Sequence, residues 1–152
     1  MTDDESAVAM DREAIDELLG TGGVGTLALA DADEPYAIPV SYGYDADDGT
    51  VYLRLGFAAD SEKRRFVSRS DGVVLVVTVE GDDGWGSVVV RGPLAEVPEA
   101  AIDGTVAESI RAIDIPFFTI YEEAARDLEY ELYRLDPETI TGRHETPSVG
   151  IE

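Results

Sequence analysis

The hydrophobic residues of this chain fall mostly into short runs with the two-residue period of β-strands. Such runs cover residues 24–30, 36–44, 51–57, 73–79, 85–97 and 128–135, and Ile140 lies in a further candidate strand. Turn-forming segments rich in Asp, Gly and Pro separate most of them. Because short turns join neighbouring runs, the pattern predicts six or seven mainly antiparallel strands. The run 73–79 is apolar on both faces, which predicts a strand at the centre of a barrel.

Helical spacing of apolar residues predicts helices at the margins of this barrel, over 11–19, 61–69, 100–113 and 117–126. Asp11 can accept hydrogen bonds from the first N–H groups of the first helix, and Gly20 can end it. Residues 1–9 have no periodicity and are predicted to be mobile. The predicted fold class is therefore α+β and mainly β, a small antiparallel barrel with peripheral helices.

Length and charge narrow the picture further. A chain of 152 residues can bury one sizeable core, so we expect a single domain over 1–152. The 33 Asp+Glu oppose 11 Lys+Arg, which gives a net charge of -22, and Lys63 is the only lysine. This composition resembles proteins of salt-in halophilic archaea, and it predicts a fold that weakens at low salt, because concentrated salt screens acidic self-repulsion. It also disfavours nucleic-acid binding.

Several kinds of chemistry lack the residues they need. The chain has no Cys, which excludes disulfides, thiol catalysis and cysteine-bound metals. The single histidine, His144, cannot build a histidine-rich site, and we expect it to be solvated near the terminus, so no metal site is predicted. No apolar run reaches the ~20 residues of a membrane span, and the first residues are acidic. We therefore expect a cytosolic protein without membrane contact.

Five basic residues oppose the charge of the rest of the chain. We name them the basic cluster: Arg54, Lys63, Arg64, Arg65 and Arg69. Four of them lie in a predicted helix that Ser61 can cap, and the free N–H groups of a helix N-terminus attract anions. This arrangement favours a phosphate ligand. The alternative is a solvated helix face balanced by neighbouring carboxylates, and both explanations stay open at this point.

Three strand segments carry residues that indicate a groove. Pro39 lies inside a β-run, where it removes one ladder hydrogen bond and suggests an edge that faces something other than a strand. Arg54 lies between two leucines and shares a face with Tyr52. Trp85 and Ser87 share a face of their own strand. Together these positions favour a ligand site on the sheet.

The order and spacing of six segments resemble the FMN-binding split barrels related to pyridoxamine 5′-phosphate oxidase. The segments are DREAIDELL, GTLALAD, PYAIPVSYGYD, DGTVYLRL, SEKRRF and WGSVVVRGPLAEV. The resemblance covers nearly the whole chain. It implies a split β-barrel that forms a homodimer, with FMN bound in a groove at the subunit interface.

The resemblance also implies which residues bind the cofactor. The positions that match the strand under the flavin ring are Pro39, Val40, Ser41 and Tyr42. The positions that match the phosphate-binding residues are Arg54, Ser61 and Lys63, with Arg64 as a second candidate. The positions that match the strand lining the groove are Trp85 and Ser87. Many relatives have a histidine at the position of Arg54, which is a departure in this chain.

The function implied by the resemblance is an FMN-dependent oxidoreductase that passes hydride or electrons to a small molecule. No side chain is assigned as a catalytic acid or base, since the flavin carries the redox chemistry. The segment RLDP at 134–137 is similar to the carboxyl-terminal signature of pyridoxamine phosphate oxidases, but 15 residues follow it, so that activity is not carried over. Three alternatives stay open: a deazaflavin (F420) ligand, a haem with His144 as its candidate ligand, and a non-catalytic module that stores flavin.

Overall fold

The computed structural model describes residues 7–58, 62–81, 84–98 and 129–145, together with positions 100, 102 and 104. Within these ranges the chain forms nine strands and two helices. The strands are β1 (Ala7–Ala9), β2 (Gly22–Asp31), β3 (Glu34–Asp45), β4 (Thr50–Phe57), β5 (Val73–Gly81), β6 (Gly84–Gly92), β7 (Leu94–Glu96), β8 (Glu129–Leu135) and β9 (Thr139–Glu145). The helices are α1 (Arg12–Leu19) and α2 (Glu62–Arg69), and neither is long and apolar enough to cross a membrane. Apart from positions 100, 102 and 104, the helices predicted over 100–113 and 117–126 lie outside the described residues.

The nine strands form one curled antiparallel sheet, a half-barrel, in the order β1-β9-β6-β5-β2-β3-β4-β8-β7. The hairpins β2–β3 and β5–β6 have the most extensive pairing. At Pro93 the chain passes from one part of the sheet to its opposite edge. Strand β6 pairs with β5 and β9, whereas β7 pairs with β8 at that edge. The interior position predicted for 73–79 is confirmed, since β5 lies between β6 and β2.

The strand count exceeds the predicted six or seven for two physical reasons. The run 85–97, in which the sequence Gly92-Pro93 predicts a break at a bulge or edge, forms two separate strands, because Pro93 has no N–H group to continue a ladder. In addition, Ala7–Ala9 pairs with β9 as β1, so the mobility predicted for 1–9 was wrong for these three residues. Three residues are too few to show a strand period in the sequence.

The inward face of the sheet forms an apolar core. In β4, Leu53 and Leu55 are buried, whereas Arg54 between them is exposed. Phe66 of α2 is fully buried and stacks on Tyr36 of β3, with ring centroids 4.5 Å apart. This stacked pair holds α2 against the sheet. Alternation then leaves the polar and basic residues of β4 on the outward face, where the candidate site lies.

Helix α1 packs on the core through Ile15 and Leu19. Asp11 accepts a hydrogen bond from the backbone N–H of Ala14 at 2.8 Å, which confirms the predicted cap. The Tyr42 hydroxyl donates to the carbonyl oxygen of Leu19 at 2.8 Å and so joins α1 to β3. Burial raises the pKa of Tyr42 to about 12, because the phenolate would lose its solvation there.

Tyr42→Phe is expected to lower the free energy of unfolding at neutral pH. It should also reduce the loss of that free energy as the pH rises into the alkaline range. The folded-state pKa of about 12 exceeds the ordinary value of 10.0, so this group stabilises the fold below pH 10, and the contribution is lost as pH rises toward 12. The difference in unfolding free energy between the wild type and the variant should therefore narrow by about 2 kcal/mol between roughly pH 8 and pH 11.5. Urea titrations at the two pH values measure this change. An equal difference at both would contradict the prediction.

Candidate functional site

Arg54 is exposed on the outward face of β4, opposite Ser41 of β3. Its guanidinium carbon lies 4.8 Å from the centroid of the Tyr130 ring, a cation–π contact. Arg54 and Tyr130 line a cavity of about 400 Å³ that also contains Glu96 and Glu131. Neither of these carboxylates, nor any other described one, forms an ion pair with Arg54. No carboxylate of the described residues therefore competes with an external anion for this guanidinium.

Lys63 lies in the first turn of α2 and reaches back to β4. Its Nζ donates to the carbonyl oxygen of Gly56 at 2.7 Å. The side chain is half-buried, and this loss of water lowers the pKa of Lys63. An ammonium group has three donors, so two remain for another acceptor. Lys63 Nζ also lies 5.9 Å from the centroid of the buried Phe57 ring. Because Gly56 follows Arg54 by two positions in β4, the Lys63 ammonium group and Arg54 lie at neighbouring positions along this strand.

The other members of the basic cluster divide between internal pairing and solvent. Arg64 lies 3.2 Å from Glu131. Arg65 lies 2.8 to 3.3 Å from three carboxylates, those of Asp31, Glu34 and Glu62. Arg69 is exposed at the end of α2 and forms no ion pair with a described residue. Arg64 and Arg65 are therefore balanced by neighbouring carboxylates, as the alternative explanation predicted. Arg54 and Lys63 are the two residues of the basic cluster that we retain as candidates for binding a phosphate.

Strand β3 offers a free edge beside these two cations. Pro39 pairs with Thr26 of β2 on one side, but pairing with β4 extends only as far as Ser41. Among the described strands, the second edge at Pro39 therefore has no partner, which agrees with the prediction. Val40 and Tyr42 are only 7% and 2% exposed and belong to the core. Of the four positions expected under a flavin ring, Pro39 and Ser41 alternate to the outward side, where Pro39 is exposed but Ser41 is only 8% exposed.

Trp85 and Ser87 share one face of β6, as predicted, and this is the outward face. Strand β6, however, lies in another part of the sheet from Arg54. Three strands, β5, β2 and β3, separate β6 from β4. Trp85 is 39% exposed and lines a cavity of about 660 Å³ beside α1. Within one protomer, the structure therefore does not bring these residues to Arg54 and Lys63. Ser61 lies outside the described residues.

Comparison with known proteins shows which family the chain belongs to. Residues 11–144 match the family described as pyridoxamine 5′-phosphate oxidase. The chain belongs to this family. No curated protein matches the chain.

Solved structures share the fold of this family member at low sequence identity. An FAD-binding protein from Mesorhizobium loti is 21% identical with a TM-score of 0.67, and the match covers 92% of this chain and 97% of that one. A candidate pyridoxamine 5′-phosphate oxidase from Corynebacterium glutamicum is 23% identical with a TM-score of 0.68, over 94% and 96% of the two chains. A haem-binding protein from Mycobacterium smegmatis is 15% identical with a TM-score of 0.60, over 85% and 52%. These likenesses confirm the split-barrel fold.

The sheet of this family member has an outward face that lacks carboxylates between the strand ends. A row of paired residues crosses five strands there: Pro39, Thr26, Val76, Val89 and Thr141. Away from the strand ends, the outward positions along β2, β3, β5, β6 and β9 carry Gly, Ala, Val, Thr, Ser, Pro or Arg, whereas Asp45, Glu80, Trp85 and Glu145 face outward at strand ends. The two-residue period of each run shows which residues of that strand face outward. Only the strand order and registers show that these residues form one continuous surface. In a chain with 33 Asp+Glu, such a face indicates a contact surface.

His144 does not lie in a solvated tail, which corrects the expectation from its position in the chain. It lies in β9, where it pairs with Val8 of β1 and Gly86 of β6. The side chain is half-buried and lines the same cavity as Trp85. Its Nδ1 lies 3.2 Å from the carbonyl oxygen of Glu145. The expectation was wrong because pairing on both sides keeps this segment in the sheet.

Proposed function

We propose that this protein is a homodimeric cytosolic oxidoreductase that binds FMN and passes hydride or electrons to a small molecule. The observation that carries the proposal is the pair Arg54 and Lys63, two cations at neighbouring positions along β4 that form no ion pair with a described carboxylate. Family membership and the FAD-binding protein from M. loti support a flavin. The terminal phosphate of FMN is a dianion, which suits a site with two cations.

The residues of the site fit the phosphate group of such a cofactor. Arg54 has a planar fork of N–H donors that can bind two phosphate oxygens. Lys63, anchored on Gly56, can donate a remaining N–H, and its half-buried position strengthens the attraction because less water screens it. Pro39 would lie along the ring at the unpaired part of the β3 edge, next to Ser41, where the pairing with β4 ends. Bound FMN would supply the transfer of hydride or electrons.

A second copy of the chain would complete the groove. Trp85 and Ser87 lie three strands from Arg54 in one protomer, so a groove lined by all three requires two protomers. The central part of the outward face supports this arrangement, because the row from Pro39 to Thr141 carries no acidic side chain that a contact with a copy would bury. Val24 on this face is 44% exposed, which leaves apolar surface for such a contact.

The cofactor assignment is tested by a visible absorption spectrum and by mass spectrometry of the ligand that heat releases. The protein is purified throughout in concentrated KCl, because screening should offset its acidic self-repulsion. We expect one FMN per protomer, bound on purification or after addition. Release of F420 or haem would replace the flavin assignment, and a colourless protein that takes up no FMN would contradict it.

Turnover is tested by adding NADH or NADPH to the FMN-loaded protein without oxygen. An oxidoreductase should show loss of the oxidised flavin absorbance within a catalytic timescale. A control with free FMN at the same concentration measures the uncatalysed reduction. A loaded protein that reduces its flavin no faster than this control, with either nucleotide, would favour a module that only stores flavin.

A further inference from the structure

Three arginines on the outward face of the sheet have no ion-pair partner among the described residues: Arg54, Arg91 and Arg143. Away from this face, most described arginines are paired, as Arg12 is with Asp16 at 2.9 Å. In a chain of net charge -22, a cation that forms no ion pair with a described carboxylate indicates a ligand that brings its own negative charge. Arg54 belongs to the proposed cofactor site, which leaves the arginines of β6 and β9 without a role.

Arg143 stands at one end of a row of hydrogen-bond donors that crosses three strands. Thr78 of β5 pairs with Ser87 of β6, and Ser87 pairs with Arg143 of β9. All three lie on the outward face by alternation, with Thr78 and Arg143 exposed and Ser87 half-buried. Residues directly opposite each other on paired strands have Cβ atoms about 4.5–5.5 Å apart. Two hydroxyls and a guanidinium group are therefore within reach of a single small anion.

We infer that Thr78, Ser87 and Arg143 form a second anion site, which binds the carboxylate or phosphate group of a small molecule. The guanidinium can bind two oxygens of such a group side by side, and the hydroxyls can donate to the same oxygens or to a third. No described carboxylate forms an ion pair with Arg143, so none of these competes for it. Glu80 and Glu145 follow on the same face two residues beyond the row, and their repulsion favours a small anionic group over an extended polyanion.

Within one protomer this second site lies apart from Arg54 and Lys63, since β5, β2 and β3 separate β6 from β4. In the proposed dimer Ser87 also lines the cofactor groove, and there the inference rests on the proposed function. The probe is inorganic phosphate, titrated at constant ionic strength with KCl as the balancing salt, and the readout is the set of backbone amide shifts in ¹H–¹⁵N spectra. We expect a saturable shift centred on Ser87 and Arg143.

The variant Arg143→Gln should weaken this phosphate affinity by roughly tenfold or more, because it removes a charge-assisted contact. Ser87→Ala should weaken it severalfold with less risk to the fold. Arg69→Gln removes the same charge from the exposed end of α2 and should leave the affinity unchanged.

The following results would overturn the inference. One is a phosphate shift confined to α2 and β4. Another is an affinity that stays unchanged in Arg143→Gln. A third is that Arg143→Gln becomes monomeric by light scattering but retains its phosphate affinity. The Arg143 guanidinium would then stabilise the contact between two copies of the chain and would not bind the anion. FMN content is measured on the same samples. A protein that binds no FMN but still binds phosphate at Ser87 and Arg143 would contradict the proposed function and leave this inference intact.

Discussion

Replacing Arg54 by Gln and Lys63 by Met in the same chain should weaken FMN binding by at least about 100-fold. Both side chains would contact the phosphate through charge-assisted hydrogen bonds, each worth roughly 1.5–3 kcal/mol. The half-buried Lys63 amine makes the larger single contribution, because its charge is less screened by water than that of the exposed Arg54. Quenching of flavin fluorescence during titration of apo-protein in concentrated KCl measures the dissociation constant.

Two controls make this expectation specific to the phosphate. Riboflavin has the same ring and no phosphate, so the double variant should bind it as the wild type does. Arg69→Gln removes one exposed cation from α2 and should leave FMN affinity within about twofold, because an exposed charge at a distance is screened by salt. If the double variant retained wild-type FMN affinity, or lost riboflavin and FMN equally, the phosphate would not lie on these two residues.

Local chemistry explains why much of the fold and part of this site were predictable. The two-residue period identified β2 to β6, and the Asp11 side chain capped α1 as its position in the sequence suggests. The same period correctly placed Arg54 outward between buried leucines. The free edge at Pro39 followed from the missing N–H group of proline. Each of these features depends on residues that are close together in the sequence.

Features that depend on the alignment of distant strands could not be read from the sequence. Arg65 pairs with Asp31 and Glu34, which lie more than thirty positions away, so the sequence alone could not show that this cation is neutralised. The separation of Trp85 from Arg54 depends on the order of strands in the sheet, which periodicity does not contain. The row from Thr78 to Arg143 likewise appears only when the registers of β5, β6 and β9 are known.

Gly92→Ala is expected to be among the most destabilising single substitutions in the described part of this chain. A Cβ atom at Gly92 would overlap the carbonyl oxygen of Asp136 and would lie 3.1 Å from the backbone nitrogen of Glu138. These are backbone atoms, so no side-chain rotation can relieve the overlap. The loop between β8 and β9 must move away from the end of β6, and hydrogen bonds such as that from the Glu138 N–H to the Arg91 carbonyl at 2.7 Å would be strained. We expect a loss of about 3 kcal/mol or more.

Thermal unfolding in concentrated KCl measures this effect, with an expected fall in Tm of roughly 6–12 °C or more. Gly72→Ala is the matched control, because its added Cβ would meet only the carbonyl oxygen of Gly92 at 3.7 Å, an ordinary contact. That control should change stability by less than about 0.5 kcal/mol. The overlap occurs where the chain turns at Pro93 from one side of the sheet toward the other, so a stable Gly92→Ala protein would mean that the β8–β9 loop does not pack against β6 as described. A destabilised variant that still binds FMN once folded would show that this junction serves the fold rather than the cofactor site.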